Sequence, residues 1–404
     1  MEVQNEIRAC LDIGNKKHYA AIGLAQGGLL ESFEMEHTTE GINAFFKTLA
    51  RYEAKYQYPV ALAMEAYNGY ARPIDQYALA KGYRLLNVNN NKLAQFKKVF
   101  PGPAKSDKID AHKMFELFTL DDHLLLSKNV LQEIYKVPDV HNHLKRLTRR
   151  RSALVEEKVV TINRMQADIQ SISPGLLKIT GSADNLWFLS LLTSRDDLKK
   201  LARIKEKGLL QIQGIGARFV GNIQEWQKHA SFALDVDWVG MMIIQDAKRL
   251  LELKKEISRL ENIIAELSES SSMAKRIKTI PGFGVVTSAV LAGEIGILER
   301  FKSESSLALY TGMAVLSNSS GAYEGSKRYM HVNKPCKKAL MTAVAVHINN
   351  CAESKKYYDK KRAEGKKHNQ AVRSLGRHMI RVIWSMLNKG RDYKTRAELK
   401  NLEA

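Results

Sequence analysis

The sequence predicts an α/β amino-terminal domain followed by a mainly helical region, and three observations support this prediction. Short apolar runs separated by turn residues fill the chain up to Val88. A stretch with helical spacing and no proline runs from Pro138 to Pro174. A formal net charge of +20 in 404 residues, with a pI near 9.6, favours an acidic polymer as the partner.

The amino-terminal elements are predicted in the order βββαβαβ. Adjacent glycines at Gly27 and Gly28 predict a hairpin turn between the second and third strands. Pro59 ends the region of the first helix. The predicted strands are Arg8–Ile13, His18–Leu24, Leu29–Glu36, Val60–Met64 and Tyr83–Val88, and the predicted helices include Ile42–Leu49 and about Tyr70–Lys81.

Four carboxylates lie where these elements place ligand sites. Asp12 is in the first strand, and Glu65 follows the fourth strand at its carboxyl end. Asp107 and Asp110 are three residues apart at the start of a further helix, so they lie about one turn apart. We expect the four acids to converge. Such a cluster needs cations, and hard carboxylate oxygens suit Mg²⁺ or Mn²⁺.

Each acid also has a simpler interpretation. Asp12 could be a solvated residue of a hairpin, and Glu65 could be an ordinary charge at the end of a strand. Asp107 and Asp110 could form an acidic first turn that favours the helix dipole. The order in which all four occur along the predicted elements favours the metal site.

The middle of the chain is predicted to be helical. The stretch between Pro138 and Pro174 reads as one long helix with a basic face that includes Arg149 and Arg150. Apolar residues from Leu250 to Leu267 follow three-four spacing over about three heptads, which predicts a coiled coil. An antiparallel hairpin within one chain and pairing between subunits both satisfy this pattern.

Two short motifs resemble the helix-hairpin-helix elements that bind DNA. The stronger is Ile280-Pro-Gly-Phe-Gly284, in which Gly282 and Gly284 leave the backbone amides open to a phosphate. The weaker is Ile212-Gln-Gly-Ile-Gly216.

A serine-rich loop precedes a basic cluster. Ser317-Asn-Ser-Ser-Gly321 is followed by Lys327 and Arg328, and then by Lys337 and Lys338. A hydroxyl beside a glycine, with cations nearby, has what a nucleophile on a phosphodiester requires. An ordinary surface loop is the alternative. The segment from Lys355 to Lys394 predicts an amphipathic helix with a basic outer face.

The cysteines and the apolar runs favour a reducing, cytoplasmic setting. Cys10, Cys336 and Cys351 are too widely spaced to predict a disulfide framework or a zinc site. The first residues lack a signal-peptide pattern, and no apolar run reaches the length of a membrane span.

Several motifs, in order over most of the chain, resemble one family. They are Lys105-Ser-Asp-Lys-Ile-Asp-Ala111, Ile280-Pro-Gly-Phe-Gly-Val-Val-Thr-Ser288, Glu294-Ile-Gly296, Arg300-Phe-Lys302, Tyr310-Thr-Gly-Met-Ala314, Ser320-Gly321 and Ser326-Lys-Arg328. The chain resembles the DEDD-type insertion-sequence transposases related to the Piv and MooV invertases. The resemblance is incomplete near the serine, because Met313-Ala-Val315 lacks the family's proline and Tyr329-Met-His-Val-Asn333 lacks its glycine.

This resemblance implies three regions. Residues 1–135 would form a RuvC-like domain with the RNase H fold, and residues 136–272 a helical linker and coiled coil. Residues 273–404 would form a transposase domain with a serine nucleophile. The D-E-D-D tetrad maps to the four acids and binds the metal, and the nucleophile maps to Ser320, with Ser319 as the near competitor.

The resemblance also implies partners. These are double-stranded donor and target DNA, a guide noncoding RNA known as bridge RNA, and further copies of the chain in a dimer or tetramer. In such a multimer the acidic cluster of one subunit meets the serine of another. The setting would be the prokaryotic cytoplasm, near the nucleoid. We expect nucleic-acid contacts from Lys105, Lys108, Arg149, Arg150, Gly282, Gly284, Lys327, Arg328, Lys337 and Lys338.

The predicted function is therefore to cut and rejoin DNA through a phosphoserine intermediate, with metal assistance and RNA guidance. Two alternatives stay open. One is a nuclease similar to Holliday-junction resolvases, in which water attacks. The other is a nucleic-acid-binding protein without catalytic activity.

Overall fold

The computed structural model describes residues 5–65, 69–99, 106–121, 123, 131–321, 323–327, 329–330, 332–395 and 398. The chain divides into two compact units, one ending at Lys136 and one beginning at Val137. The predicted boundary after residue 135 lies close to this division, and the further boundary after residue 272 stays a prediction. No helix in the described ranges is long and apolar enough to cross a membrane.

The first unit contains a six-stranded mixed sheet. The strand order is β3-β2-β1-β4-β5-β6, in which β1, β4 and β5 run parallel and the other pairs are antiparallel. This mixed α/β domain was predicted, and it fits a RuvC-like arrangement. The three-residue β6 was not predicted. The strands are β1 Ile7–Ile13, β2 Lys17–Leu24, β3 Leu29–Glu36, β4 Val60–Glu65, β5 Arg84–Val88 and β6 Leu131–Glu133.

Helices cover both faces of this sheet. Alternate residues of β1 enter two different hydrophobic cores, with Leu11 in one and Cys10 in the other. Burial on both faces explains why the strand reads as a continuous apolar run instead of an alternating one. The helices are α1 Thr39–Tyr56, α2 Arg72–Ala80, α3 Asn90–Val99 and α4 Asp107–Asp121, with a 3₁₀ turn at Gly69–Ala71.

The second unit is mainly helical, as predicted, with one two-stranded antiparallel hairpin. Its strands are β7 Leu316–Ser320 and β8 Tyr323–Lys327. Its helices are α5 Asp139–Ile172, α6 Pro174–Leu177, α7 Leu186–Leu192, α8 Glu206–Leu210, α9 Ala217–Lys228, α10 Val236–Glu269, α11 Ser272–Lys278, α12 Val285–Ile295, α13 Glu304–Tyr310, α14 Lys334–Asn350, α15 Ala352–Ala363 and α16 His368–Lys389, and a 3₁₀ helix covers Leu198–Arg203.

The predicted coiled-coil stripe is buried within the chain. Helices α5 and α10 pack against each other, and Leu154 of α5 contacts the Leu253 and Ile257 region of α10. An ion pair of 2.6 Å joins Arg151 Nη2 to Glu261 Oε1. A second ion pair joins Arg164 to Asp246. Arg164 follows Arg151 along α5, whereas Asp246 precedes Glu261 along α10, so the helices are antiparallel. The structure therefore contains the intrachain hairpin, one of the two predicted alternatives.

Helix α12 packs very closely on α5 and carries a buried acid. A Cβ atom at Gly293 would lie 2.6 Å from the backbone nitrogen of Lys145, so only glycine permits this approach. The next residue, Glu294, is completely buried. Arg149 donates from Nε to Glu294 Oε1 over 2.6 Å and from Nη2 to Oε2 over 2.9 Å. This bidentate pair satisfies the carboxylate where water cannot.

Replacing Arg149 with methionine tests the structural role of this pair. Arg149→Met leaves the Glu294 charge buried without its main partner, and we expect the free energy of unfolding to fall by about 3 kcal/mol. Arg150, the next residue on the same helix, is exposed as Arg149 is, but Glu294 pairs with Arg149. Arg150→Met is the matched control and should leave urea denaturation unchanged. Equal stability of the two variants would contradict the structural role of Arg149.

Candidate active site

The sheet brings the first two acids together. Strands β1 and β4 are parallel neighbours, with Leu11 opposite Met64, and Asp12 and Glu65 are the next residues along each strand. Glu65 is the last residue of β4, at the carboxyl end of the strand as predicted. The prediction that these two strands lie side by side is confirmed.

The other two acids lie in the first turn of α4, which packs on β1 and β2. Ser106 directly precedes this helix, and its hydroxyl accepts a hydrogen bond of 3.3 Å from the backbone N–H of Ile109. Such a cap fixes the start of the helix. Asp107 is exposed and Asp110 is half-buried.

The charges of the three other acids act on Asp12. Burial raises its pKa to about 6, and the carboxylates of Glu65, Asp107 and Asp110 contribute further to this rise. The positive charge of Lys97 acts in the opposite direction and lowers the pKa of Asp12. Like charges at short range disfavour ionisation, so the raised pKa of Asp12 reflects an acidic cluster.

Lys97, on α3, lies inside this cluster. Its Nζ atom is 3.0 Å from Asp110 Oδ1 and 3.5 Å from Glu65 Oε2. No sequence pattern indicates this residue, because α3 is a short polar helix in which Leu93 is the buried apolar residue. Neither α3 nor the position of Lys97 was predicted.

The acids have the right chemistry for a divalent metal, but their geometry is that of a lysine-bridged cluster. Carboxylate oxygens are the ligands that Mg²⁺ prefers. Yet among the residues that the structure describes, no three acids, histidines or cysteines are arranged to hold a metal ion. The Lys97 ammonium lies between two of the four carboxylates instead.

The predicted serine nucleophile lies on the β7–β8 hairpin of the second unit. Ser320 is the last residue of β7, opposite Tyr323, and Ser319 lies opposite Glu324. Both serines are exposed. Gly321 follows in a left-handed conformation with φ of 56°. The hairpin presents both hydroxyls to solvent.

The base of the hairpin is held by the buried Glu294. Tyr310 precedes the hairpin and donates from its hydroxyl to the Glu294 carbonyl oxygen over 2.8 Å. Asn333 follows the hairpin, and its Nδ2 donates to Glu294 Oε2 over 2.7 Å. The backbone N–H of Asn333 also donates to the Tyr310 carbonyl over 2.8 Å. Both ends of the serine hairpin are therefore joined to each other and to α12.

Basic side chains line two grooves beside this base. A groove of about 360 Å³ is lined by Lys334, Lys337 and Lys338 together with Tyr329 and other residues. A second groove of about 170 Å³ lies between α5, α12 and α14, and Lys338 lines it too. Arg149 and Arg151, at its edge, already pair with Glu294 and Glu261. Nucleic-acid contact by these residues stays a prediction.

Both glycine motifs form a turn between two helices. The first joins α11 to α12, and the second joins α8 to α9. A Cβ atom at Gly282 would lie 2.6 Å from the backbone nitrogen of His347, so its lack of a side chain serves packing against α14. Gly284 is exposed at the start of α12, with open space around it. Of the two predicted phosphate-binding glycines, Gly284 is the accessible one.

The remaining predicted contacts divide into two groups. Lys108 and Arg150 are exposed, and Lys327 ends β8. Lys105 and Arg328 lie outside the described residues.

Comparison with known proteins identifies the family. A model of the IS110-type DEDD transposase matches residues 9–174, and a model of the IS116/IS110/IS902 transposase family matches residues 274–359. The 43.6 kDa protein of insertion element IS110 from Streptomyces coelicolor is 24% identical over 394 residues, covering 96% of this chain and 95% of that protein.

Two further relatives agree. The 42 kDa protein of insertion element IS900 from Mycobacterium paratuberculosis is 26% identical over 336 residues, which are 81% of this chain and 82% of that protein. The transposase of IS1111A from Coxiella burnetii is 23% identical over 152 residues, 36% of this chain and 41% of that protein. Since the two family models together cover more than half of the sequence, the chain belongs to the IS110/IS116 family of DEDD transposases.

Proposed function

We propose that this transposase cuts and rejoins DNA through a phosphoserine intermediate at Ser320, with divalent metal held by Asp12, Glu65, Asp107 and Asp110. The observation that carries the proposal is the electrostatic coupling of the three other carboxylates to Asp12. Asp12, whose pKa the other three carboxylates raise, belongs to an acidic cluster that a divalent cation would stabilise. When bound, Mg²⁺ or Mn²⁺ would polarise the scissile phosphate and help the serine hydroxyl to ionise.

The register of the hairpin favours Ser320 over Ser319 as the nucleophile. Directly opposite residues share a face of a two-stranded sheet, and successive residues alternate between faces. Ser319 therefore shares its face with Glu324, whose negative charge repels a phosphodiester. Ser320 shares its face with Lys327, which lies opposite Leu316 about 13 Å along the strand. A DNA strand thus meets a cation on the Ser320 face and an anion on the other.

The proposed step conserves the number of phosphate ester bonds. Attack by Ser320 Oγ forms one O–P bond while one P–O bond of the DNA breaks. The hydroxyl proton passes to a base, and the departing oxygen gains a proton. Because the serine ester retains the energy of the broken bond, a new DNA hydroxyl can displace the serine without ATP.

Recognition of DNA sequence is proposed to come from a guide RNA. The formal charge of +20 and the lysines of the two grooves suit contacts with phosphates, which position a duplex but carry no sequence information. Base pairing with a bridge RNA would supply the choice of donor and target, as in other guided systems. Assembly into a dimer or tetramer belongs to the same proposal.

The serine mechanism predicts a covalent protein–DNA adduct. With donor DNA, target DNA and RNA transcribed from the flank of the element, we expect wild type to form an adduct that survives denaturing electrophoresis. Ser320→Ala removes the nucleophile and Asp12→Asn removes a metal ligand, so both should abolish the adduct. Ser319→Ala is the matched control and should retain it.

Other outcomes identify the alternatives. Metal-dependent cleavage without an adduct would indicate a nuclease that uses water. Loss of the adduct in Ser319→Ala instead of Ser320→Ala would indicate that Ser319 is the nucleophile. An adduct that forms equally well without the RNA would contradict guidance.

The metal requirement gives a separate prediction. Excess EDTA should abolish strand cleavage, and added Mn²⁺ should restore it, because the proposed metal ion would stabilise the charge that develops on the attacked phosphate. Strand cleavage is measured with end-labelled DNA. Cleavage that persists in EDTA would count against the tetrad as the metal site.

The two glycines of the first hairpin motif should respond differently to substitution. Gly282→Ala places a Cβ atom 2.6 Å from a backbone atom at a φ of 85°, and we expect it to cost about 2 kcal/mol of stability. Gly284→Ala has space and an ordinary φ of −72°, so it should fold normally while lowering DNA affinity. Thermal denaturation and fluorescence anisotropy with labelled duplex DNA measure the two effects. Unchanged DNA affinity in Gly284→Ala would contradict phosphate binding at this turn.

A further inference from the structure

Lys97 contributes an unusual contact to the acidic cluster. Its ammonium contacts Asp110 and Glu65, which belong to different elements of the first unit, over 3.0 and 3.5 Å. The side chains of all three residues are less than a quarter exposed. This is therefore a shielded charge cluster, in contrast to the solvent-screened pairs on the surface of the chain.

We propose that Lys97 is an internal counter-ion that holds the acidic site before metal binding and that a divalent ion must displace. This inference rests on the proposed metal role of the tetrad. It explains how carboxylates of β4 and α4 lie close together although no three acids are arranged as metal ligands in the described part of the chain.

The ammonium and a divalent ion compete for the same oxygens. Mg²⁺ requires carboxylate oxygens at 2.0–2.1 Å in near-octahedral geometry. Glu65 Oε2 and Asp110 Oδ1 now face the Lys97 Nζ atom. A cation that bound these oxygens would also meet a like charge within a few ångströms, so the two cannot share the site without strong repulsion.

The position of Lys97 on α3 makes this contact specific. Leu93, one turn earlier, is completely buried and anchors the helix in the core that includes α4 residues. Residues four apart share a helix face, so Lys97 lies on the anchored side. The next residue, Lys98, is exposed. Two adjacent lysines therefore differ in burial while carrying the same charge.

If a divalent ion displaces Lys97, one substitution should raise the affinity for metal and lower the stability of the metal-free protein. Lys97→Gln removes the competing charge, so Mn²⁺ should bind the full-length protein about tenfold more tightly. In EDTA the same variant should melt at a lower temperature than wild type, because the carboxylates lose their counter-ion. Added Mn²⁺ should raise its melting temperature more than that of wild type.

The experiment uses isothermal titration with Mn²⁺ alone and thermal denaturation, without DNA. Lys98→Gln is the matched control, since it makes the same charge change on the exposed side of α3, and its Mn²⁺ affinity should stay near that of wild type. Lys97→Arg retains the positive charge and should also bind Mn²⁺ with near wild-type affinity. Asp12→Asn should lose Mn²⁺ binding.

The outcomes separate this inference from the proposed function. If Lys97→Gln binds Mn²⁺ as wild type does while Asp12→Asn does not, the counter-ion role is overturned and the metal role stands. Equal tightening in Lys97→Gln and Lys98→Gln would indicate a general charge effect and also overturn the inference. If neither wild type nor any variant binds Mn²⁺, the metal role of the tetrad fails, and the inference fails with it.

Discussion

The second unit depends on one buried carboxylate. Glu294 has no exposed surface, its charge is compensated by Arg149 from α5, and its carboxylate accepts a hydrogen bond from Asn333 beside the start of α14. The Tyr310 hydroxyl binds the backbone of the same residue. A buried charge cannot be left without partners, so these groups are held at fixed positions. Glu294 therefore joins α5, α12 and the base of the serine hairpin.

The first unit meets the opposite electrostatic problem. Its parallel strands and the start of α4 bring four carboxylates to one place, where neighbouring like charges disfavour the ionised form of Asp12. The raised pKa of Asp12 and the ammonium of Lys97 are two partial solutions within the chain. Cations in different forms thus organise both units, a guanidinium in one and an ammonium in the other.

Much of the fold was predictable because strands and long amphipathic helices carry periodic signals. The five longer strands and the long helix from Asp139 to Ile172 match the sequence pattern closely. Helix α3 and strand β6 were missed, since one is polar and the other has only three residues. In the site, the positions of the acids followed from strand ends and helix starts.

Pairwise contacts over long sequence distances left no signal in the sequence. Lys97 reaches Glu65 across more than thirty residues, and Arg149 reaches Glu294 across 145. Gly282 was interpreted as a phosphate-binding glycine, but its closest neighbour is the backbone at His347. A glycine motif reports that something approaches closely, and only the structure identifies what does.

The exposure of the serine hairpin has a consequence for its stability. Every residue of β7 is exposed, and among the described residues its sheet consists of β7 and β8. A two-stranded hairpin by itself has marginal stability in water, so the contacts of Tyr310 and Asn333 with Glu294 determine where this one begins. Nucleic acid laid across the exposed β7 would add a covering layer and stabilise the hairpin. Substrate binding would then be coupled to the stability of the strand that carries Ser320.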